Sequence, residues 1–238
     1  MCGIIGFTGN EPAKDIIIGG LERLEYRGYD SAGLALLSND QIQVRKRTGK
    51  VEELRKLCAA EKMPVTCGIG HTRWATHGGV TDVNAHPHRV GKVVLIHNGI
   101  IENYRQIVTE YGLADQLVSE TDSEVVAALM NKFYEGDPVK AIKKTVKVLS
   151  GAFALCIMFQ DIPDTIYAIR NVSPMVATSC ERGSVIASDL TALIEFSKEY
   201  FVVPEYHILT LKKDGIEIQD LKGNKVTPQM LTVNWDIT

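Results

Sequence analysis

A chain of 238 residues, 45% apolar and 23% charged, has an ordinary globular balance and is long enough to bury a real core. A formal net charge of −3 without a long basic run leaves no footprint for nucleic acid, and no apolar stretch reaches the roughly 18 residues that a membrane span needs. Five scattered cysteines (Cys2, Cys58, Cys67, Cys156, Cys180) include no C-x-x-C pair, and the apolar start lacks the basic region and cleavage site of a signal peptide. Both features fit a reducing cytoplasm better than a disulfide framework.

In chain order, Cys2–Phe7 reads as a buried strand. From Pro12 to about Tyr26, Ile16, Ile17, Leu21 and Leu24 recur at helical spacing, with Asn10 as a candidate cap. Arg27-Gly-Tyr-Asp is a turn. Ser31–Leu37 and Gln41–Arg47 form a strand pair around Ser38-Asn-Asp, and Val51–Glu61 is helical. Cys67–Thr72 and Val93–Ile101 are apolar strands, separated by a Gly-, His-, Asn- and Pro-rich segment from Thr76 to Arg89. Helices follow at Tyr104–Tyr111, Asp122–Tyr134 and Val139–Leu149, the last with Lys140, Lys143, Lys144 and Lys147 on its wet face. The C-terminal third is a run of short strands joined by turns, interrupted by one short helix at Leu190–Phe196. Tight strand pairs and grouped helices predict an α+β fold with antiparallel sheets and helices outside them.

Four segments carry chemistry. Cys2 becomes the true N-terminus once Met1 is removed, which a small second residue permits. A free α-amine has a pKa of about 7.7–8. One residue then supplies both a thiol nucleophile and its general base. Asn98-Gly99, at the end of an apolar strand, offers a side-chain and a main-chain N–H for an oxyanion hole. In Arg73-Trp-Ala-Thr-His-Gly, Arg73 can grip a carboxylate. Trp74, Thr76 and His77 belong to a Gly-rich loop able to close over a ligand. Ser119-Glu-Thr-Asp-Ser-Glu reads first as a helix cap, but Asp122 can also hold an ammonium. Arg73 and Asp122 together suit an α-amino acid. His86-Pro-His88 reads as a structural, hydrogen-bonded pair rather than a metal site. A Cys-His-Asn triad of Cys2, His77 or His86, and Asn98 stays open, as do an amidase for another amide and a binding domain in which Cys2 is only core.

Met1-Cys-Gly-Ile-Ile-Gly, Leu24-Glu-Tyr-Arg-Gly-Tyr-Asp-Ser-Ala-Gly33, Gly70-His-Thr-Arg-Trp-Ala-Thr-His-Gly78, Asn84-Ala-His-Pro-His88, His97-Asn-Gly-Ile-Ile-Glu-Asn103 and Ser119-Glu-Thr-Asp-Ser-Glu124 resemble the glutaminase domain of the glucosamine-6-phosphate synthases. This is a class II glutamine amidotransferase of the N-terminal-nucleophile (Ntn-hydrolase) type, and the likeness runs over nearly the whole chain. It implies a four-layer αββα sandwich and hydrolysis of L-glutamine to L-glutamate and ammonia without metal or organic cofactor. Cys2 would be the nucleophile, and Asn98 and Gly99 the oxyanion hole. Arg73 would bind the substrate carboxylate; Asp122 and the Gly99 carbonyl would bind its ammonium. Thr76 and His77 would contribute from the loop, Trp74 would shield the pocket, and Arg27 and His86 would support the site. Two positions depart from the pattern: Val80 stands where the family often has Pro, and Val172 where it usually has Gly. The resemblance further implies that residues 1–238 are a single glutaminase domain. The sugar-isomerase domains that take fructose-6-phosphate would be absent.

Overall fold

The computed structural model describes residues 1–234. Among the described residues, fourteen strands form two sheets. The first runs β14-β11-β9-β10-β1-β4-β2-β3. Its members are β1 (Gly3–Gly9), β2 (Ser31–Ser38), β3 (Gln41–Thr48), β4 (Cys67–Arg73), β9 (Val176–Cys180), β10 (Gly183–Ala187), β11 (Glu199–Val202) and β14 (Leu231–Thr232). The second runs β13-β12-β8-β7-β6-β5. It contains β5 (His88–Val90), β6 (Val93–Ile101), β7 (Gly151–Phe159), β8 (Ile166–Asn171), β12 (Ile208–Lys212) and β13 (Gly215–Gln219). Every pairing between these strands is antiparallel.

Three apolar layers follow from strand parity. In β1, Ile4 points into the space between the sheets with Ile69, Ile96, Ala154, Cys156 and Ile186. Its neighbours Ile5 and Phe7 point the other way, against α1 (Ala13–Leu24) and α2 (Val51–Cys58). Covered on both faces, the strand reads as an unbroken apolar run. The outer face of the second sheet is covered in the same way by α3 (Tyr104–Tyr111), α4 (Asp122–Phe133) and α5 (Pro138–Val148). Helix, sheet, sheet and helix therefore stack as the αββα sandwich that the resemblance implies. Gly20 lets α1 approach closely, since a Cβ there would lie 2.1 Å from the Ile5 side chain.

Several local expectations need correction. Asn10 does not cap α1: Pro12 holds the cap position, and the Asn10 amide donates to the Glu181 carbonyl. The helix expected at Leu190–Phe196 is only a single 3-10 turn at Leu190–Ala192, started by Asp189 accepting from Thr191 N–H. The Gly-, His-, Asn- and Pro-rich segment read from Thr76 to Arg89 runs at its end into β5, and α2 stops at Cys58 rather than Glu61. The Asn39-Asp40 turn holds as read, with both residues at positive φ, which short polar side chains tolerate.

Candidate active site

The site lies at one end of the sandwich, where side chains from the two sheets meet. β1 begins at Gly3, so Cys2 sits at its lip, and Gly3 pairs with Thr72 on β4. That register brings Trp74 beside Cys2: the Trp74 N–H donates to the Cys2 Sγ at 3.1 Å, and the thiol reaches the Trp74 carbonyl at 3.5 Å. The thiol's partners are thus main-chain groups, and no histidine is among them. Burial pushes the Cys2 pKa above its ordinary value, outweighing the Trp74 N–H and the nearby N-terminal charge. A thiol in this setting carries its proton near neutrality and needs a base to become a nucleophile.

From the second sheet, β6 delivers Asn98 and Gly99. The Asn98 Nδ2 donates to the Cys2 carbonyl at 3.0 Å, tying the two sheets together beside the Cys2 thiol. One amide proton is used there, and the second is left for the cavity. Gly99 has φ 122°, and a Cβ would sit 2.1 Å from the Ala152 carbonyl oxygen, so only glycine lets the main chain pass so close to β7.

The loop after β4 supplies the opposite wall. Arg73 is buried, and its guanidinium donates to the carbonyls of His77, Gly78 and Gly79 (2.9 Å for Gly79). Its Nη1 also lies 4.0 Å from an Asp30 carboxylate oxygen. The side chain expected to grip a carboxylate therefore also props the loop. Trp74 is 55% exposed, its ring lying over Gly28 at the rim. His77 lies edge-on to Tyr104 (5.1 Å between centroids), with Thr76 Oγ1 3.4 Å from its Nδ1.

Asp122 begins α4. Thr121 caps this helix by accepting from Glu124 N–H, and Glu124 folds back onto the N–H groups of Val118 and Ser119. The capping reading of that segment is correct. It leaves the Asp122 carboxylate buried beside the cavity, one oxygen accepting from Ile101 N–H (2.8 Å) and the other 3.7 Å from His77 Nδ1. Arg27 lies on the near side. Its guanidinium pairs with Asp189 at 3.0 Å, and its carbonyl accepts from the Met1 ammonium at 2.7 Å.

Cys2, Arg27, Arg73, Trp74, Thr76, His77, His86, Asn98, Gly99 and Asp122 all line one cavity of about 350 Å³. The segments that seemed separate in sequence therefore converge. A thiol, N–H donors, a guanidinium and a carboxylate face one small volume, an arrangement that suits acyl transfer on a zwitterionic substrate.

His86 corrects the expectation of a hydrogen-bonded pair. His88 bonds Thr121 Oγ1 (3.1 Å), but neither ring nitrogen of buried His86 has a partner. His86 instead stacks on His71 (3.9 Å) and meets His88 edge-on (4.6 Å). Residues passed over in the sequence also matter. Asp30 accepts from Ala75 N–H, and Glu120 ties Asn84 (2.8 Å) to Gly79 N–H (3.2 Å) across the loop. His71 touches Asn98. Strand parity could have found His71, because it lies two residues before Arg73 on the same face of β4.

Residues 80–195 match the family model of the glutamine amidotransferase domain. The chain is 41% identical to a glutamine–fructose-6-phosphate aminotransferase (isomerizing) of Caldanaerobacter subterraneus, over 100% of this chain and 40% of that one. It is also 41% identical to the enzyme of the same name from Aquifex aeolicus, with the same two coverages. It thus spans about 40% of the length of the curated relatives it matches. Among solved structures, a glutamine phosphoribosylpyrophosphate amidotransferase from B. subtilis superposes with TM-score 0.79 at 24% identity, over 94% of this chain and 50% of that one, a likeness of fold. The chain carries a glutamine amidotransferase domain with the Ntn-hydrolase fold.

Proposed function

We propose that this domain hydrolyses the side-chain amide of L-glutamine with Cys2, releasing L-glutamate and ammonia. The observation that carries the reading is the single cavity shared by the Cys2 thiol, Asn98, Gly99, Arg73 and Asp122. Met1 is 74% exposed and open to an aminopeptidase. Its removal frees the Cys2 α-amine, which takes the proton that the buried thiol holds. The thiolate attacks the δ-carbonyl. The second Asn98 N–H and the Gly99 N–H receive the oxyanion, and the α-ammonium returns the proton to the leaving ammonia. Water then resolves the γ-glutamyl thioester. Arg73 holds the α-carboxylate, Asp122 the α-ammonium, and the Trp74–Gly79 loop covers the bound substrate.

We read residues 1–238 as one glutaminase unit. Where sugar-isomerase domains corresponding to the rest of the longer relatives are joined to this unit, the ammonia passes to fructose-6-phosphate. Five free thiols support a reducing, cytoplasmic setting, and the acidic net charge supports a partner other than nucleic acid. Among the described residues no helix is long and apolar enough to cross a membrane.

Intact mass before and after treatment with a glutamine-mimicking diazoketone, with glutamate production assayed on the same sample, tests the reading. Loss of Met1, one adduct at Cys2 and parallel loss of activity are expected, and Cys2→Ala removes both label and turnover. A processed, folded protein that neither labels nor turns over glutamine overturns the mechanism and leaves a binding domain. Turnover of asparagine or simple amides in place of glutamine points to a different amidase.

A further inference from the structure

The proposed oxyanion hole works only if the Asn98 carboxamide is turned with its nitrogen toward the nucleophile. The reverse orientation would present a carbonyl oxygen to the developing negative charge. Two acceptors of fixed character decide the matter. The Cys2 carbonyl can only accept, so the Asn98 group 3.0 Å from it is the NH₂. On the other side, His71 Nε2 lies 3.0 Å from the His97 carbonyl, which also can only accept, so Nε2 carries the proton. That same Nε2–H points at Asn98 from 2.9 Å, where it meets Oδ1. The ring is fully buried, which favours its neutral form, and a neutral imidazole has one proton to place. Its other nitrogen, Nδ1, is buried without a partner. The opposite tautomer would bury an unbonded N–H and aim a lone pair at two oxygens. The stacked ring of His86, 28° from parallel, packs against the imidazole face and hinders a ring flip.

We infer that His71 is a positioning residue for glutamine hydrolysis: as the Nε2–H tautomer it holds the Asn98 carbonyl oxygen and thereby turns the Asn98 N–H₂ toward the nucleophile. This rests on the glutaminase reading above. It adds to that reading a residue that touches neither substrate nor thiol but sets the polarity of the group that stabilises the transition state.

The prediction is tested on the processed protein in five ways. ¹⁵N spectra of the imidazoles report the tautomer in the wild type: a protonated Nε2 and bare Nδ1 at His71 are expected, and the reverse overturns the inference. His71→Leu is expected to lower kcat by about 10²–10³-fold with KM nearly unchanged, the loss typical of one missing oxyanion donor. His71→Gln, whose amide nitrogen reaches the Nε2 position, is expected to recover most of that loss. Placed on Asn98→Ala, His71→Leu is expected to cost nothing further, because its effect passes through Asn98. Alkylation of Cys2 by iodoacetamide, a displacement that forms no oxyanion, is expected to proceed at the wild-type rate in His71→Leu. Equal losses in alkylation and turnover, or additive losses in the double variant, assign His71 a merely structural role. Should His71→Leu fail to fold, the wild-type tautomer and the His71→Gln kinetics decide. A wild type without glutaminase activity sinks the underlying function rather than the tautomer, which the spectra test separately.

Discussion

The two walls of the cavity are built differently. The Asn98–Gly99 wall belongs to β6, paired with β7 along its length, and is backed by His71, His86, His88 and His97, all nearly inaccessible. The facing wall is the Trp74–Val80 loop, much of it solvent-exposed, held by the Arg73 guanidinium and by the Glu120–Asn84 latch. In the proposed reaction, groups that must be in place before charge develops sit on strands. Groups that must let a substrate in and close behind it sit on a loop. The contrast predicts that damage to the first wall appears in kcat and damage to the second in KM.

The sharpest way to break this comparison is to cut one group from each wall. Asn98→Ala is expected to lower kcat by about 10²–10³-fold with little change in KM. A large KM effect would mean that Asn98 binds ground-state substrate instead. Asp122→Asn keeps an acceptor for Ile101 N–H but loses the charge. It is expected to raise KM for glutamine by about 10–100-fold, the worth of one charge-assisted hydrogen bond, with a smaller change in kcat. Steady-state kinetics on both variants test the division. If the Asp122 variant loses kcat alone, the division of labour between the walls fails.

The sequence disclosed these walls unequally. β1 and β6 were legible because their apolar stretches, residues 4–7 and 93–96, are covered on both faces. The residues that touch substrate in the proposal were legible because their types match its charges. What stood behind them was not. A single histidine in a strand does not say whether it packs, titrates or orients a neighbour, and His71 gains its meaning only from the second sheet. Arg73 was read by its charge, yet much of its hydrogen bonding goes to its own loop, and no spacing rule reveals a local prop of that kind. The Asn10 cap failed for a related reason: the Glu181 carbonyl, 171 residues away, takes its amide.

The histidine backing gives the comparison a pH dimension. Burial lowers the pKa of His71 to about 3 and lowers those of His86, His88 and His97. A depressed folded-state pKa means that the unfolded chain binds more protons below the ordinary histidine value of about 6.5. Stability contributed by these neutral rings is therefore fully present above about pH 6.5 and is lost as pH falls toward their folded values. A fall in Tm of about 5 °C or more between about pH 7 and about pH 5 is expected by calorimetry. His86→Phe, which keeps the stack on His71 and removes two unpartnered nitrogens, should make that fall shallower. An unchanged acid slope would mean that His86 does not contribute to it.

The smallest effect concerns the rim between the walls, where Ser173 and Pro174 line the cavity just beyond β8. Val172 precedes them at φ 68°, a left-handed conformation that crowds a β-branched side chain. The side chain is 66% exposed and offers little packing in return. The turn is held from behind, with Arg170 donating to the Val172 carbonyl at 3.3 Å. Left-handed backbone costs a residue with a Cβ about 1–2 kcal/mol. Glycine removes that strain but gives the unfolded chain more freedom, worth about 0.4–1 kcal/mol. At mid-range the difference leaves Val172→Gly more stable by about 1 kcal/mol, or about 2–4 °C in Tm for a domain of this size. A lower Tm would mean that the Val172 side chain secures the rim through contacts worth more than the strain it imposes.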